Sequence, residues 1–291
     1  MGVNFKHHTV PQCYPDHFAT NGQIYKYSKV RKMHNRCSVK DVCESNSFYL
    51  IKDNSWWKHL EIESELFAKN VEPALSKMID VIEQTVKNVV CDNSNVVKIK
   101  IDQETRKSIA SLVFIQFYRT PRFRNFYNNK AVIRKGISST THEYTEEKVT
   151  DEVLVHALST FCNKPLFKQT VDYLSSNQWV IRYSDKDVFL TSDNPVVWIP
   201  LKENDSDVFT IGNIGNSRCF LYYPITPQIV LEIYDKGMKS LSPDFDNLVI
   251  RCDAEHETFL NINTIINAAD DVILRDKDIS TYSIDIKLNI I

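Results

Sequence analysis

The chain carries side chains suited to proton transfer close to its N-terminus. His8 and Gln12 flank Pro11 in the run His-Thr-Val-Pro-Gln. Histidine exchanges protons near neutral pH, and the amide of glutamine can both donate and accept hydrogen bonds. We predict His8 as a catalytic residue and Gln12 as a substrate-binding residue. The competing interpretation is structural, because a histidine beside a proline more often completes a local hydrogen-bond network.

A series of glutamates follows on a predicted helix. Apolar side chains recur at three- and four-residue spacing from about residue 57 to residue 90, which is the pattern of an amphipathic helix. At roughly 100° per residue, Glu61, Glu65 and Glu72 share one line, while Glu63 points away. Carboxylates on one face can hold a hard divalent cation or a proton. We predict Glu65 and Glu72 as ligands of Mg²⁺ or Mn²⁺, with Glu72 also catalytic; the alternative is a solvated acidic stripe.

The next predicted helix ends in a group of arginines. It begins at Asp102, becomes apolar nearly all round, and stops before Pro121, so it should lie at the centre of the fold. Gln116 and Arg119 are three residues apart and share a face of this helix, and Arg124 follows beyond the break. Guanidinium groups bind phosphate or carboxylate through paired hydrogen bonds. We predict these three residues as substrate-binding, against the alternative that the arginines only cap and pack the helix end.

A fourth motif is the run Ser-Asp-Asn-Pro that contains Asp193 and Asn194. It follows a predicted strand, and strand ends commonly present polar side chains to a cleft. We predict Asp193 as a catalytic residue and a third metal ligand, and Asn194 as a substrate-binding residue. The alternative is an ordinary turn, since aspartate, asparagine and proline all favour turns.

The order of the predicted helices and strands that position these residues indicates a single α+β domain over residues 1–291. A largely helical part covers about 57–175; Pro73 should kink its first helix, and further helices are expected over 145–163 and 166–175. A β-rich part covers about 178–291, with short runs separated by Asp, Asn, Gly and Pro. The short spacing between these runs favours a mostly antiparallel sheet packed with the helices.

Charge is distributed unevenly along the chain, although the net charge is only −2. The windows between Asp16 and Asp41 and between Glu104 and Glu143 contain basic residues and no acidic ones. Such windows favour a phosphate-bearing partner, either nucleic acid or another anion, although two ordinary solvated faces would look the same.

Several classes of protein lack their sequence support. Neither nucleotide-binding glycine motif, GxGxxG or GxxxxGK[ST], occurs, nor do HExxH and GxSxG, the motifs of zinc proteases and α/β-hydrolases. We find no signal peptide and no run of 18 apolar residues, so we expect no membrane association. The seven cysteines include no CxxC pair, which is typical of free thiols in the cytoplasm.

A family resemblance extends over nearly the whole chain. The residues that carry it are His8-x-Val10-Pro11-Gln12-x-Tyr14 with Phe18-Ala19, Ile62-Glu63, Val71-Glu72-x-Ala74, Gln116-x-x-Arg119-Thr120-Pro121-x-Phe123-Arg124, Ser192-Asp193-Asn194-Pro195, and the Asn263 helix with Ala268. With these motifs the chain resembles the bacterial proteins grouped as domain of unknown function 4238. One departure is Pro15, where that family usually carries leucine. The resemblance implies a shared domain and a shared set of polar residues, without an established activity.

Taken together, these residues predict a nuclease-like phosphodiester hydrolase that acts on nucleic acid or a nucleotide. A metal ion or His8 would activate the nucleophile, and Arg119 and Arg124 would stabilise the charge that develops on phosphate. The alternative is a non-catalytic sensor or interaction protein in which the arginines bind an anionic ligand or partner. A third interpretation is a buried polar network that only stabilises the fold.

Overall fold

The structure, a computed structural model, confirms the α+β class. It describes residues 6–51, 62–90, 95–127, 130–137, 144–200, 219–238 and 242–276. The strands of this part are β1 (Lys6–His8), β2 (Gln23–Ser28), β3 (Met33–Ser38), β4 (Glu44–Asn46), β5 (Val96–Lys98), β6 (Val132–Ile137), β7 (Tyr144–Val149), β8 (Gln178–Tyr183), β9 (Thr191–Ser192), β10 (Val197–Pro200), β11 (Cys219–Thr226), β12 (Ile229–Tyr234), β13 (Leu248–Arg251) and β14 (Asp271–Leu274).

The helices pack around these strands. They are α1 (Cys13–Asp16), a π-helix (Ile62–Val71), α2 (Glu72–Val90), α3 (Gln103–Tyr118), α4 (Pro121–Tyr127), α5 (Glu152–Ser159), α6 (Lys164–Ser176) and α7 (Ala254–Asn267), with a 3₁₀ turn at Val39–Asp41.

The largest sheet of the described residues has the strand order β10-β11-β12-β8-β13-β5. Its neighbours pair antiparallel except β8 and β13, which are parallel. Alternate residues of its strands bury against opposite layers, as the two-residue repeat of a strand requires. Ile181 and Tyr223 join the core beneath α2, α3 and α6, whereas Val180 and Tyr222 pack with Leu260 of α7. Every residue of β12 is therefore buried.

Strands from both ends of the chain form a second sheet, in the order β3-β2-β14-β9. Strand β2 pairs antiparallel with β14, which lies almost 250 residues later in the chain. Lys29, at the turn after β2, donates from Nζ to the carbonyl oxygens of Ile265 and Ala268 at 3.0 and 2.9 Å, and so caps the end of α7. The β-rich part of the fold thus includes strands from the first half of the sequence.

Helix α3 agrees with its prediction. Asp102 caps its first turn by accepting hydrogen bonds from the backbone N–H groups of Glu104 and Thr105 at 3.0 and 2.9 Å. The helix ends at Tyr118 because Pro121 starts the separate helix α4. Its second half is buried between the main sheet and the other helices, which accounts for the apolar residues on all sides.

The predicted helix over 57–90 differs from the structure in its winding. Residues 57–61, including Glu61, lie outside the described part, and the segment from Ile62 to Val71 is a π-helix before α2 begins at Glu72. The prediction assumed 100° per residue, and a π-helix turns less per residue. As a result Glu63 is turned toward the interior, whereas Glu65 is exposed on the surface. The expected disturbance at Pro73 corresponds to the change from π-helix to α-helix.

The predicted helix over 145–163 was partly wrong. Tyr144–Val149 forms β7, which pairs antiparallel with β6, and α5 follows only from Glu152 to Ser159. The sequence Thr-Glu-Glu-Lys within β7 contains good helix formers, but pairing with the neighbouring strand overrides this local preference. The predicted helix over 166–175 is confirmed within α6.

Candidate functional site

Arg119 lies at the C-terminal end of α3 and is fully buried. Its Nη2 donates to the backbone carbonyl oxygen of His8 at 2.7 Å and lies 3.9 Å from Oε2 of Glu63. The Phe67 ring covers one face of the guanidinium, with 4.0 Å between the Arg119 Cζ and the ring centroid. Arg119 is thus held by α3, the N-terminal segment and the π-helix, all of which meet at this point.

Several polar atoms close to Arg119 have no hydrogen-bond partner among the described residues. They are Nε and Nη1 of Arg119, both amide atoms of Gln116, Oε2 of Glu63 and the hydroxyl of Tyr223. Buried polar groups in folded proteins are nearly always hydrogen-bonded, so such a concentration of unsatisfied groups needs an explanation. We refer to Arg119, Gln116, Glu63 and Tyr223 as the Arg119 site.

The charge of Arg119 affects the pKa values of Tyr223 and Glu63, so both groups lie close to the guanidinium. Burial raises the pKa of the Tyr223 hydroxyl well above its usual value, and the Arg119 charge opposes that rise. Burial likewise raises the pKa of the Glu63 carboxyl, again opposed by Arg119. Glu63 also accepts a hydrogen bond from the backbone N–H of His8 at 3.3 Å. The site therefore combines one buried cation with a carboxyl group that can be protonated more easily than usual.

His8 contributes its main chain to this site and directs its ring elsewhere. The ring Nε2 lies 3.1 Å from the carbonyl oxygen of Lys40 and 2.8 Å from Nε2 of Gln12. Thus the structure brings the predicted residues His8 and Gln12 into direct contact. The catalytic role of His8 stays a prediction, and its Nε2 atom is already engaged by Lys40 and Gln12.

Arg124, predicted to bind the same substrate as Arg119, lies in different surroundings. Its Nη1 donates to the Phe48 carbonyl oxygen at 2.7 Å, and its Nε donates to Nδ1 of His156 at 3.2 Å. Burial, aided by the Arg124 charge, lowers the pKa of His156 to about 3, so the ring is neutral and donates from Nε2 to the Tyr118 carbonyl oxygen at 2.7 Å. These contacts tie α4 to α5 and to the segment before the π-helix.

The Asp193 carboxylate binds the chain segment that follows α7. It accepts hydrogen bonds from the backbone N–H groups of Ala269, Asp270 and Asp271 at 2.8, 2.8 and 3.0 Å. Asn194 accepts from the Thr120 hydroxyl at 3.2 Å. The predicted catalytic role of Asp193 and the substrate-binding role of Asn194 remain predictions, but both side chains are engaged in contacts that hold α3, β9 and β14 together.

The three predicted metal ligands have different environments. Glu65 is exposed and pairs with Lys69 at 2.5 Å, Asp193 is bound to backbone N–H groups, and Glu72 is half-buried beside Cys13. Burial and the Glu72 charge raise the pKa of the Cys13 thiol to about 11. No group of three His, Cys, Asp or Glu side chains within the described ranges is arranged to hold a metal ion.

Two members of the Arg119 site have no predicted role in the sequence analysis. The sequence offers Glu63 as a candidate beside Glu65 and Glu72 but assigns it no role, because a regular α-helix would direct it away from those two residues. Tyr223 lies in β11, where aromatic and apolar residues alternate between two buried faces, and nothing in that pattern marks it as functional. Only the path of the chain brings this strand beneath the end of α3.

The fold and site define an α+β protein with a buried, incompletely hydrogen-bonded arginine site. A family model described as "Protein of unknown function (DUF4238)" matches residues 6–278, and the chain belongs to this family. The resemblance found in the sequence motifs is thereby confirmed. No curated protein and no solved structure matches the chain. No helix in the described ranges is long and apolar enough to cross a membrane.

Proposed function

We propose that this protein binds a small anionic ligand in the Arg119 site. The observation that carries the proposal is a fully buried guanidinium whose Nε and Nη1 have no acceptor among the described residues. Burying a charge is costly unless its hydrogen bonds are made, and an anionic ligand would complete them. This is the sensor or binding-protein hypothesis, now centred on Arg119 rather than on Arg119 and Arg124 together.

The surroundings of Arg119 favour a small ligand over a polymer. Phe67 covers one face of the guanidinium, so a ligand must approach its edges in the plane of the group. Cys13 and Glu72 are half-buried and interact electrostatically with Arg119 and Glu63, and we propose that a ligand enters on this side. A nucleic-acid strand needs an open groove, whereas a single phosphate or carboxylate group needs only this edge.

Binding is tested with inorganic phosphate and acetate on the wild-type chain and on Arg119→Met. At a ligand concentration of 100 times Kd, we expect wild-type stability to rise by about 2.7 kcal/mol, with no rise in Arg119→Met. Urea unfolding with and without the anion measures the effect. Arg251→Met, which removes an exposed arginine paired with Asp185, is the control and should respond like the wild type. Equal responses of wild type and Arg119→Met would exclude Arg119 as the binding group.

A nuclease-like hydrolase is the second candidate, and the raised pKa of Glu63 beside Arg119 favours it. A carboxyl with such a pKa can take a proton from an attacking water, while Arg119 stabilises the charge on a phosphodiester. Burial of the site favours a nucleotide over a nucleic acid as substrate. Mg²⁺ or Mn²⁺ held by Glu72 would fit the same chemistry.

The cytoplasm is the location we propose, because Cys13, Cys37, Cys43, Cys162 and Cys252 are free thiols.

Hydrolysis is tested with RNA, DNA and cyclic nucleotides, with and without Mg²⁺ or Mn²⁺. We expect Glu63→Gln to lower the rate about 100-fold or more, because general acid–base catalysis typically contributes 10²–10⁴-fold. The same variant should still bind phosphate, since it keeps Arg119 and removes a negative charge. His8→Ala tests the histidine separately. A wild type that binds anions and hydrolyses none of these substrates would leave binding as the function and reject the hydrolase.

A further inference from the structure

We propose that the ligand of the Arg119 site is a monoanion that carries a neutral amide-like group beside its charge. The inference rests on the proposed function, because it assumes that Arg119 binds an anion. Carboxylates and phosphodiesters both carry a single negative charge, and amides, ureides and nucleobase edges all present a donor next to an acceptor. The site selects this shared chemistry through its charge and through Gln116.

The charges around the site disfavour a second negative charge on the ligand. Arg119 is the cation, and the Glu63 and Glu72 carboxyl groups both act on this region. Cys13 and Tyr223 stay neutral at physiological pH because burial raises the pKa of each group. A dianion such as sulfate would therefore meet one positive charge and two carboxyl groups, and repulsion would weaken its binding.

Gln116 binds the neutral, amide-like group of the proposed ligand. Its side chain is buried, and neither its amide nitrogen nor its amide oxygen has a partner among the described residues. It precedes Arg119 by three residues on α3, so the two side chains emerge from the same face of the helix. An amide provides two donors and one acceptor oxygen, the complement of an amide or nucleobase edge. The unpaired hydroxyl of Tyr223 adds a further donor or acceptor.

A purely structural role does not account for Gln116. The rest of this helix segment is apolar, and Val113 and Phe117 on either side of Gln116 are buried in the main core. A leucine or methionine at position 116 would fill the same space without leaving polar atoms unpaired. Retaining an unpaired amide destabilises the free protein, and a ligand that satisfies the amide offsets this cost.

Isothermal titration of the full chain with matched anions tests the proposal. Acetate is the bare monoanion, N-acetylglycine adds an amide, 3′,5′-cyclic UMP is a phosphodiester with a nucleobase edge, and sulfate is the dianion. We expect N-acetylglycine or cyclic UMP to bind at least 10-fold tighter than acetate, and sulfate to bind more weakly than acetate. The tighter of the two amide-bearing probes assigns the anion as carboxylate or phosphodiester.

The variant Gln116→Met should reduce the advantage of the amide-bearing probe over acetate to less than 2-fold, while acetate affinity stays within 2-fold of the wild type. The control is Gln84→Met, which alters an exposed glutamine paired with Asn88 on α2 and should keep the advantage. An advantage that persists in Gln116→Met, or sulfate that binds tighter than acetate, would overturn the inference. If no anion binds in an Arg119-dependent manner, the proposed function itself fails; if acetate binds and the amide adds nothing, only this inference fails.

Discussion

Replacing Arg106 by methionine is expected to lower the free energy of unfolding by about 3 kcal/mol or more, whereas the same change at Arg119 should alter it by less than about 1 kcal/mol. Both arginines are buried and both belong to the region of α3. They differ in how completely the protein binds them. The comparison therefore separates an arginine that stabilises the fold from one that is kept for a ligand.

Arg106 is engaged by partners on several sides. It pairs with Asp246, donates to Asn247 Oδ1 at 2.7 Å and to the Asn177 carbonyl oxygen at 2.8 Å, and lies over the Trp179 ring. Its removal leaves the Asn177 carbonyl oxygen and Asn247 Oδ1 without this donor and the Asp246 carboxylate without its cation, which is why the cost is large.

Within the described residues, the Arg119 side chain donates to the carbonyl oxygen of His8 and also interacts with the Tyr49 hydroxyl, while its Nε and Nη1 have no partner. Methionine would fill its space beside Phe67 and remove a buried charge with unpaired donors, so the loss and the gain nearly cancel. Glu63 loses a cation, but its raised pKa lets it become neutral.

Urea unfolding at pH 7, in a buffer that contains no phosphate, measures both variants. A loss of about 3 kcal/mol in Arg119→Met would mean that Arg119 belongs to a structural network, and it would support the third interpretation of the sequence. Arg119→Lys is an additional check, because lysine retains the charge without the planar group. The Arg119→Lys variant should still bind anions, but more weakly, because the ammonium group cannot form the paired hydrogen bonds of a guanidinium.

Replacing Asp193 by alanine is the second large effect. Three backbone N–H groups, those of Ala269, Asp270 and Asp271, would lose their acceptor, and unsatisfied buried donors cost about 1–3 kcal/mol each. We expect a total loss of about 3 kcal/mol or more. Asp193→Asn keeps one acceptor oxygen but turns an amide N–H₂ toward backbone donors, so its loss should be intermediate.

Asp185→Ala is the matched control for Asp193. Asp185 is an exposed carboxylate paired with Arg251, and exposed ion pairs contribute about 0–1 kcal/mol. Thermal or urea unfolding ranks the three variants. If Asp193→Asn unfolds at the same denaturant concentration as the wild type, then the carboxylate is not needed for stability. Such a result would support the predicted catalytic role of Asp193.

Local sequence patterns predicted the elements that depend on local physics. The Asp102 cap, the apolar helix α3 and its end before Pro121 follow from capping, periodicity and proline geometry, and the structure has all three. The strand β7 was missed because its residues favour a helix when considered alone. Its partner β6 decides the conformation, and strand pairing cannot be inferred from the propensities of one segment.

The Arg119 site was only partly predictable for the same reason. Arg119 and Gln116 were found because they interrupt an apolar helix, which is a signal within one element. Glu63 depends on the winding of the π-helix, and Tyr223 depends on which strand lies beneath α3. The positions of Glu63 and Tyr223 both depend on tertiary packing. The α-helical spacing of the sequence therefore indicates Glu65, rather than Glu63, as the site residue.

The pairing of β2 with β14 has a consequence for the order of events during synthesis. Strands β2 and β3 leave the ribosome before β14, and the edge of β2 that binds β14 stays open until Leu274 has been made. The Lys29 side chain must likewise wait for the carbonyl oxygens at the end of α7. The second sheet therefore closes only after β14 has been translated. Because contacts this distant in sequence form slowly, its completion should be the late step of folding.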